Sequence, residues 1–373
     1  MNILVTGANG FIGKNLRIFL AEQGFTDVTC FEQDHSYTDL ANMVAKTEFV
    51  FHLAGVNRPK DEIEFSQGNT DLTKRLVSLL SKTGRYIPLV LTSSIQADRD
   101  NAYGKSKAAA EQVALDYMRQ TGSPAYVYRL ANVFGKWCRP NYNSAVATFC
   151  HNTVHDLPIT IHDANAPLAL VYIDDVCASF INLLSGKQPS DYQQGGYKEV
   201  EPVYYTTVGA VAEALQKFKQ SRINLITEEV GSGLMRALYA TYLSYFSPSN
   251  FAYTVPGYTD PRGSFVEMLK TPSAGQISFF TAHPGVTRGG HYHHTKNEKF
   301  LVIKGTANYR FKQIITGEEY SIIVDSGEYK IIETVPGWTH DITNIGEDEL
   351  IVMLWANEVF DRSKPDTIAS PLA

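Results

Sequence analysis

Along this chain of 373 residues the spacing of apolar side chains changes once, after Ser247-Pro248-Ser249, and that change limits the possible folds. Before it, short apolar runs alternate with helical stretches, the pattern of a parallel sheet with crossover helices. Val28 to Phe31, Phe49 to Leu53, Leu89 to Thr92 and Ala125 to Leu130 read as strands, with helices near 70–82 and 104–120. After it, helical periodicity disappears. Gln276 to Thr281, Lys299 to Ile303, Thr306 to Phe311, Tyr320 to Val324 and Leu350 to Trp355 read as short strands divided by glycines, which predicts an antiparallel double sheet or barrel. The expectation is an α/β domain over 1–246 and an all-β domain over 247–373.

The first strand, Asn2 to Thr6, runs into Gly7-Ala8-Asn9-Gly10-Phe11-Ile12-Gly13 and a helical pattern with Leu16, Phe19 and Leu20 inward. Glycines in such a strand-to-helix turn let backbone N–H groups approach a pyrophosphate at the positive end of the helix. Glu32 ends the second strand, where an acid accepts from a ribose 2′-hydroxyl and disfavours a 2′-phosphate, which favours NAD over NADP. Tyr103 and Lys107 are four apart on one helix face, where an ammonium favours the phenolate, and Ser94 ends the preceding strand with a hydroxyl to orient a substrate oxygen. His52 reads as a packed strand residue.

These motifs resemble the extended short-chain dehydrogenase/reductases that act on nucleotide sugars, over about 1–245 of the chain. The resemblance implies that Gly7, Asn9, Gly10, Phe11, Ile12, Gly13, Glu32, Asp39, Leu40, Leu53, Ala54, Gly55, Tyr103 and Lys107 bind the cofactor. It further implies that Ser94, Asn132 and Arg129 meet the sugar nucleotide, and that Ser94, Tyr103 and Lys107 are catalytic. Relatives that act as dehydratases or 4-epimerases share the tyrosine and lysine. A dehydratase prefers an acid beside the catalytic hydroxyl, whereas Ser94 is followed by Ile95.

In the second half, Gly285 is followed by five residues, His291-Tyr292-His293, four residues, Glu298, six residues and Gly305, and later by Pro336-Gly337 and His340. Histidines at i and i+2 share a strand face, and Glu298 and His340 can close the set around one cation. Three imidazoles and a carboxylate favour Zn2+, with Mn2+, Fe2+ and Ni2+ open. Both stretches are similar to the two cupin motifs, over roughly 250–373. Thr259 to Glu267, with Arg288 to Tyr292, also resembles the sugar-nucleotide 3,5-epimerases, although here His291 is better placed as a ligand than as a base. His294 breaks the alternation and is expected to face solvent. Arg288, Lys296 and Lys299 read as solvated cations, and the tyrosines of 239–245 as core.

As a whole the chain is similar to bacterial bifunctional capsular polysaccharide enzymes that join a reductase to a cupin. That similarity implies a homodimer acting on a UDP-4-keto-6-deoxy-N-acetylhexosamine, with C3 epimerisation by the cupin and C4 reduction with NADPH. The NADPH runs against Glu32. The alternative is a single-function reductase or epimerase whose cupin only binds or dimerises. With 33 basic and 39 acidic residues in mixed order there is no basic stripe for nucleic acid. Four cysteines without a C-x-x-C spacing fit a reducing compartment, and no apolar run is long enough to span a membrane, so a cytoplasmic enzyme is expected.

Overall fold

The structure, a computed structural model, describes residues 1–184, 195–255, 257–260, 263–266, 269, 275–358 and 363–372. The chain forms two compact units, residues 1–144 with 168–206, and residues 145–167 with 207–373.

The first unit is built on strands β1 (Ile3–Thr6), β2 (Val28–Phe31), β3 (Phe49–His52), β4 (Leu89–Ser94), β5 (Ala125–Leu130), β6 (Asn132–Phe134), β7 (Pro167–Tyr172), β8 (Gly196–Lys198) and β9 (Tyr204–Thr207). Its main sheet is parallel, in the order β2-β1-β3-β4-β5-β8, and β6, β7 and β9 form a small second sheet. Every residue of β1 and β3 is buried, as a parallel sheet covered on both faces requires. Helices α1 (Phe11–Glu22), α2 (Tyr37–Val44), α3 (Ile63–Phe65), α4 (Leu72–Lys82), α5 (Ala102–Thr121) and, after β7, α7 (Ile173–Leu184) follow the strands. Leu76 and Leu80 of α4 and Ala114 and Tyr117 of α5 close one core over Leu4, Val50, Leu91 and Val127. Because β2 and β3 flank β1, the chain reverses direction across the sheet there. In doubly wound folds ligands bind in the crevice at that point, beyond the carboxyl ends of the strands.

His52 bears out its reading as a packed residue. Its ring is wholly buried between Thr6 (2.7 Å) and Thr73 (2.9 Å), tying β1, β3 and α4 together.

The second unit contains β10 (Ala252–Thr254), β11 (Gly257–Asp260), β12 (Gly263–Val266), β13 (Gln276–Ala282), β14 (Thr287–Tyr292), β15 (Glu298–Lys304), β16 (Thr306–Gln313), β17 (Glu319–Asp325), β18 (Lys330–Glu333), β19 (Trp338–Asn344), β20 (Leu350–Ala356) and β21 (Ile368–Ala369). Two five-stranded antiparallel sheets result, β10-β18-β15-β20-β13 and β17-β16-β19-β14-β21, with β11 and β12 paired as a hairpin. The five strands expected after 247 are all present. Among the described residues no helix is long and apolar enough to cross a membrane.

Among the described residues three α-helices share this unit: α6 (Ala145–Val154), α8 (Val208–Asn224) and α9 (Gly233–Leu243). The change of pattern at 247 therefore marks where the strands begin, while the compact unit begins earlier. The joint is ionic. Glu333, 1% exposed, accepts from Lys299 of β15, lies 3.3 Å from the Arg222 guanidinium of α8 and accepts from the Tyr239 hydroxyl of α9 at 3.4 Å. Lys299 is thus buried rather than solvated, and Lys296 is also buried, 3.2 Å from Glu298. Strand alternation cannot reveal that helices cover an outer sheet face. Replacing Glu333 with Ala leaves two cations without their carboxylate and is expected to destabilise this unit by about 3–5 kcal/mol, read from urea unfolding.

Candidate functional site

The glycine turn sits at the β1/β3 crevice. Gly7 has a φ of +68°, and a Cβ there would lie 2.8 Å from the Ala54 backbone, so glycine is required on both counts. A Cβ on Gly13 would lie 2.3 Å from the Gly7 carbonyl oxygen, which explains how α1 packs onto the turn. Helix α1 begins after Gly10 with no side-chain cap, and uncapped N–H groups at a helix start are the donors an anion can use. At the rim, Asn9 N donates to Glu32 Oε1 (2.6 Å) and Arg17 donates to Asn9 Oδ1 (3.2 Å). On the β3 side, Leu53 N and Ala54 N donate to the Thr6 carbonyl and hydroxyl, both at 3.2 Å. Asp39 and Leu40 are the pair expected beside the adenine. The Asp39 carboxylate closes a capping box with Ser36 at the start of α2, and Leu40 is wholly buried in the core.

The expected catalytic group is assembled at the ends of β4 and α5. Lys107 Nζ lies 6.0 Å from the centre of the Tyr103 ring and donates to the Thr92 carbonyl at 3.1 Å. Burial pushes the Lys107 ammonium down to about 8, against the opposing pull of Glu111. Burial raises the Tyr103 phenol, and its hydrogen bond with Ser94 works the other way. Gly55 faces this group, since a Cβ there would sit 3.2 Å from Lys107 Nζ. The Phe65 ring packs 5.5 Å from that of Tyr103.

The Arg129 guanidinium, expected at the sugar nucleotide, binds Glu111 through Nε (2.9 Å) and Nη2 (2.6 Å) and Asp98 through Nη1 (2.9 Å to each oxygen). Two carboxylates on neighbouring elements satisfy the fork, so it braces β5 against α5 and the turn after Ser94. Asn132 is exposed and donates to the Ala169 carbonyl at 3.1 Å.

Two residues of this site escaped sequence reasoning. Asn69 lies in a π-helical stretch, Ser66–Asp71, and binds Val56 N, Val56 O and Ser106 Oγ, holding the Gly55 loop against α5. Nothing in its spacing marks it. Glu111, 1% exposed, accepts from Ser93 Oγ at 2.5 Å as well as from Arg129. Its place four residues beyond Lys107 was a readable signal.

In the second unit, His291, His293, Glu298 and His340 converge, with one ligand atom from each lying within 4.8 Å of all the others. A bulge in β14 at Gly289 and Gly290, both with positive φ, sets His291 directly opposite His340 on β19. Glu298 Oε2 lies 3.1 Å from His293 Nε2 and 3.4 Å from His340 Nε2. Burial acts to raise the Glu298 carboxyl, but the adjacent His293 and His340 rings outweigh it and hold the group well below its usual range. Burial, then the neighbouring His340 and His293, pushes His291 down to about 3, so it presents the neutral form that ligates metals. Both ring nitrogens of His340 are buried with no hydrogen bond among the described residues. A divalent cation fits this donor set.

His294, expected in solvent, is only 7% exposed, because its loop is covered by the C-terminal segment. Arg288 is exposed, as expected. Within Thr259 to Glu267, strands β11 and β12 form their hairpin, while Pro261, Arg262 and Glu267 lie outside the described residues.

Residues 3–195 match the NAD dependent epimerase/dehydratase family, and residues 258–368 match the polysaccharide biosynthesis C-terminal domain. A UDP-2-acetamido-2,6-beta-L-arabino-hexul-4-ose reductase of Pseudomonas aeruginosa is 55% identical over 99% of this chain and 98% of its own length. The crystal structure of the capsular polysaccharide assembling protein CapF from Staphylococcus aureus covers all of both chains, with a TM-score of 0.67 and 38% identity. A UDP-glucuronic acid 4-epimerase from Bacillus cereus shares the fold over 58% of this chain and 83% of its own, with a TM-score of 0.51 and 19% identity. The chain therefore belongs to the NAD dependent epimerase/dehydratase family and, carrying the polysaccharide biosynthesis C-terminal domain as well, is CapF-like from end to end.

Proposed function

We propose that this chain is a bifunctional UDP-sugar enzyme of capsular polysaccharide biosynthesis, epimerising a UDP-4-keto-6-deoxy-N-acetylhexosamine at C3 and then reducing it at C4. The observation that carries the reading is that one chain, matched end to end by a hexul-4-ose reductase, holds both a Ser94/Tyr103/Lys107 group and a three-histidine, one-glutamate cluster. Residues 1–246 are assigned the reduction and residues 247–373, as a cupin, the epimerisation. The product is UDP-N-acetyl-6-deoxy-L-talosamine, on the route to UDP-N-acetyl-L-fucosamine, and the working form is a homodimer.

Chemistry fixes the order. The C3 hydrogen is acidic only while C4 is a carbonyl that can hold the enolate charge, so reduction comes second. His291, His293, Glu298 and His340 would hold a divalent cation, Zn2+ by preference, which would supply Lewis acidity toward that carbonyl. The glycine turn would hold NADPH, which would supply the hydride. Tyr103 gives its proton to the oxygen forming at C4, Ser94 holds that oxygen, and the Lys107 ammonium stabilises the phenolate left behind. Arg17 supports NADPH, because it places a cation at the rim shared by Asn9 and Glu32, where a 2′-phosphate is met.

Incubation in D2O tests the assignment. Without NADPH, deuterium should enter C3; with it, one equivalent is consumed per sugar, unlike in a 4-epimerase, which recycles its cofactor. If His291 and His340 variants exchange C3 as fast as the parent, the β domain is only a binding module. The pH profile is a second check. The ammonium is needed and loses its proton near pH 8, so kcat/KM for reduction should fall as pH rises above about 8.

A further inference from the structure

Asp366 approaches the ligand cluster from the far end of the sequence. Its carbonyl oxygen lies 2.6 Å from His293 Nδ1, so that nitrogen donates to it and Nε2 is left to face Glu298 and His340. Its carboxylate collects the backbone N–H groups of His294 (3.0 Å), Thr295 (2.8 Å) and Lys296 (2.7 Å) and the Thr295 hydroxyl (2.9 Å). These three residues form the loop between ligands His293 and Glu298. The Asp366 φ of 35° is unfavourable for a residue with a Cβ and persists where surrounding contacts dictate it. Beyond it, Ile368 and Ala369 pair with Tyr292 and His291, Ser370 N donates to the Gly290 carbonyl at 2.7 Å, and Thr339, beside His340, donates to Ser370 Oγ at 2.9 Å.

We propose that the segment Asp366–Ser370 completes the metal centre, with Asp366 as the positioning residue for His293 and for the loop leading to Glu298. The inference rests on the metal-binding reading of that cluster. Its contacts concentrate on ligands and their immediate neighbours: His291 through strand pairing, His293 through its ring, Glu298 through its loop and His340 through Thr339. A hydrogen bond to the non-ligating nitrogen of a metal-bound histidine fixes its tautomer and orientation, and losing such a partner costs about 10- to 100-fold in metal affinity.

The test uses the full-length protein, stripped by chelator and titrated with Co2+, whose visible absorption reports coordination geometry, and then with Zn2+ in competition. The parent should bind one ion per chain. Asp366→Ala keeps the main-chain carbonyl but removes the carboxylate that holds residues 294–296 and fixes where that carbonyl stands, so it should weaken binding about tenfold or more and alter the Co2+ spectrum. Asp366→Asn, which keeps one side-chain acceptor for the loop, should fall between the two. A chain ending at Asp366 should also bind more weakly, because the β21 pairing is gone. Circular dichroism and the urea midpoint of the fluorescence of Trp338 and Trp355, both buried in the second unit, report that each variant is folded. If Asp366→Ala fails that control, Asp366→Asn and the shortened chain carry the comparison. Equal affinity and unchanged spectra in the folded variants would overturn the inference and leave the metal reading intact. If the parent binds no ion, or His340→Ala binds as the parent does, the metal reading fails and the inference falls with it.

Discussion

Tyr103→Phe is expected to lower C4 reduction by about 10²- to 10⁴-fold, the usual contribution of a positioned general acid, while deuterium continues to enter C3. The substitution removes one oxygen and keeps the ring that packs against Phe65 at 5.5 Å, so the active-site wall stays in place. Lys107 keeps its own anchor on the Thr92 carbonyl, and the glycine turn is untouched, so NADPH affinity should hold within a few-fold. The loss should therefore appear in kcat and not in the KM for cofactor. NADPH oxidation followed spectroscopically, together with NMR of the sugar after incubation in D2O, separates the two half-reactions. Retention of most of the reduction rate would mean that another group protonates the C4 oxygen, and the assignment of Tyr103 would fall.

The groups that could be read in advance are those whose chemistry depends on local spacing. Tyr103 and Lys107 are one helical turn apart, His291 and His293 share a strand face, and Gly7 and Gly13 belong to one turn; each relation is a consequence of helix or strand geometry that the sequence carries directly. Groups that depend on partners distant in the chain were misread or missed. That Glu111 and Asp98 fill the fork of Arg129 is not visible from its neighbours in the chain. Lys299 looked solvated because nothing in strand alternation shows that α8 and α9 cover that face and that Glu333 waits there. Asp366 had no signal at all, since its role comes from a backbone carbonyl and from N–H groups some 70 residues earlier.

The same reasoning explains why the break in apolar spacing at 247 and the edge of the compact unit do not coincide. Periodicity reports which local structure a segment adopts, whereas unit membership depends on what that structure packs against. Helices α8 and α9 lie before the break in pattern, and their attachment to the antiparallel sheets rests on Arg222, Tyr239 and their shared carboxylate at Glu333, none of which forms a pattern along the chain.

Removing the cation from the second unit is expected to slow C3 deuterium exchange by about 10³-fold or more, the equivalent of several kcal/mol of lost charge stabilisation. Reduction of a ketone supplied with C3 already inverted should continue unchanged, since Ser94, Tyr103 and Lys107 lie on other elements. The cluster should survive as structure without the ion. Glu298 Oε2 sits within 3.1 Å of His293 Nε2 and 3.4 Å of His340 Nε2, so the carboxylate keeps partners when the cation leaves. Loss of exchange in chelator-treated protein would then reflect missing chemistry and not unfolding, and added Zn2+ should restore it. His340→Ala should lose the exchange and fail to recover with Zn2+, because the remaining donors no longer close the set. Full-rate inversion at C3 by ion-free protein would remove the cation from the reaction and reduce His291, His293, Glu298 and His340 to a buried polar cluster.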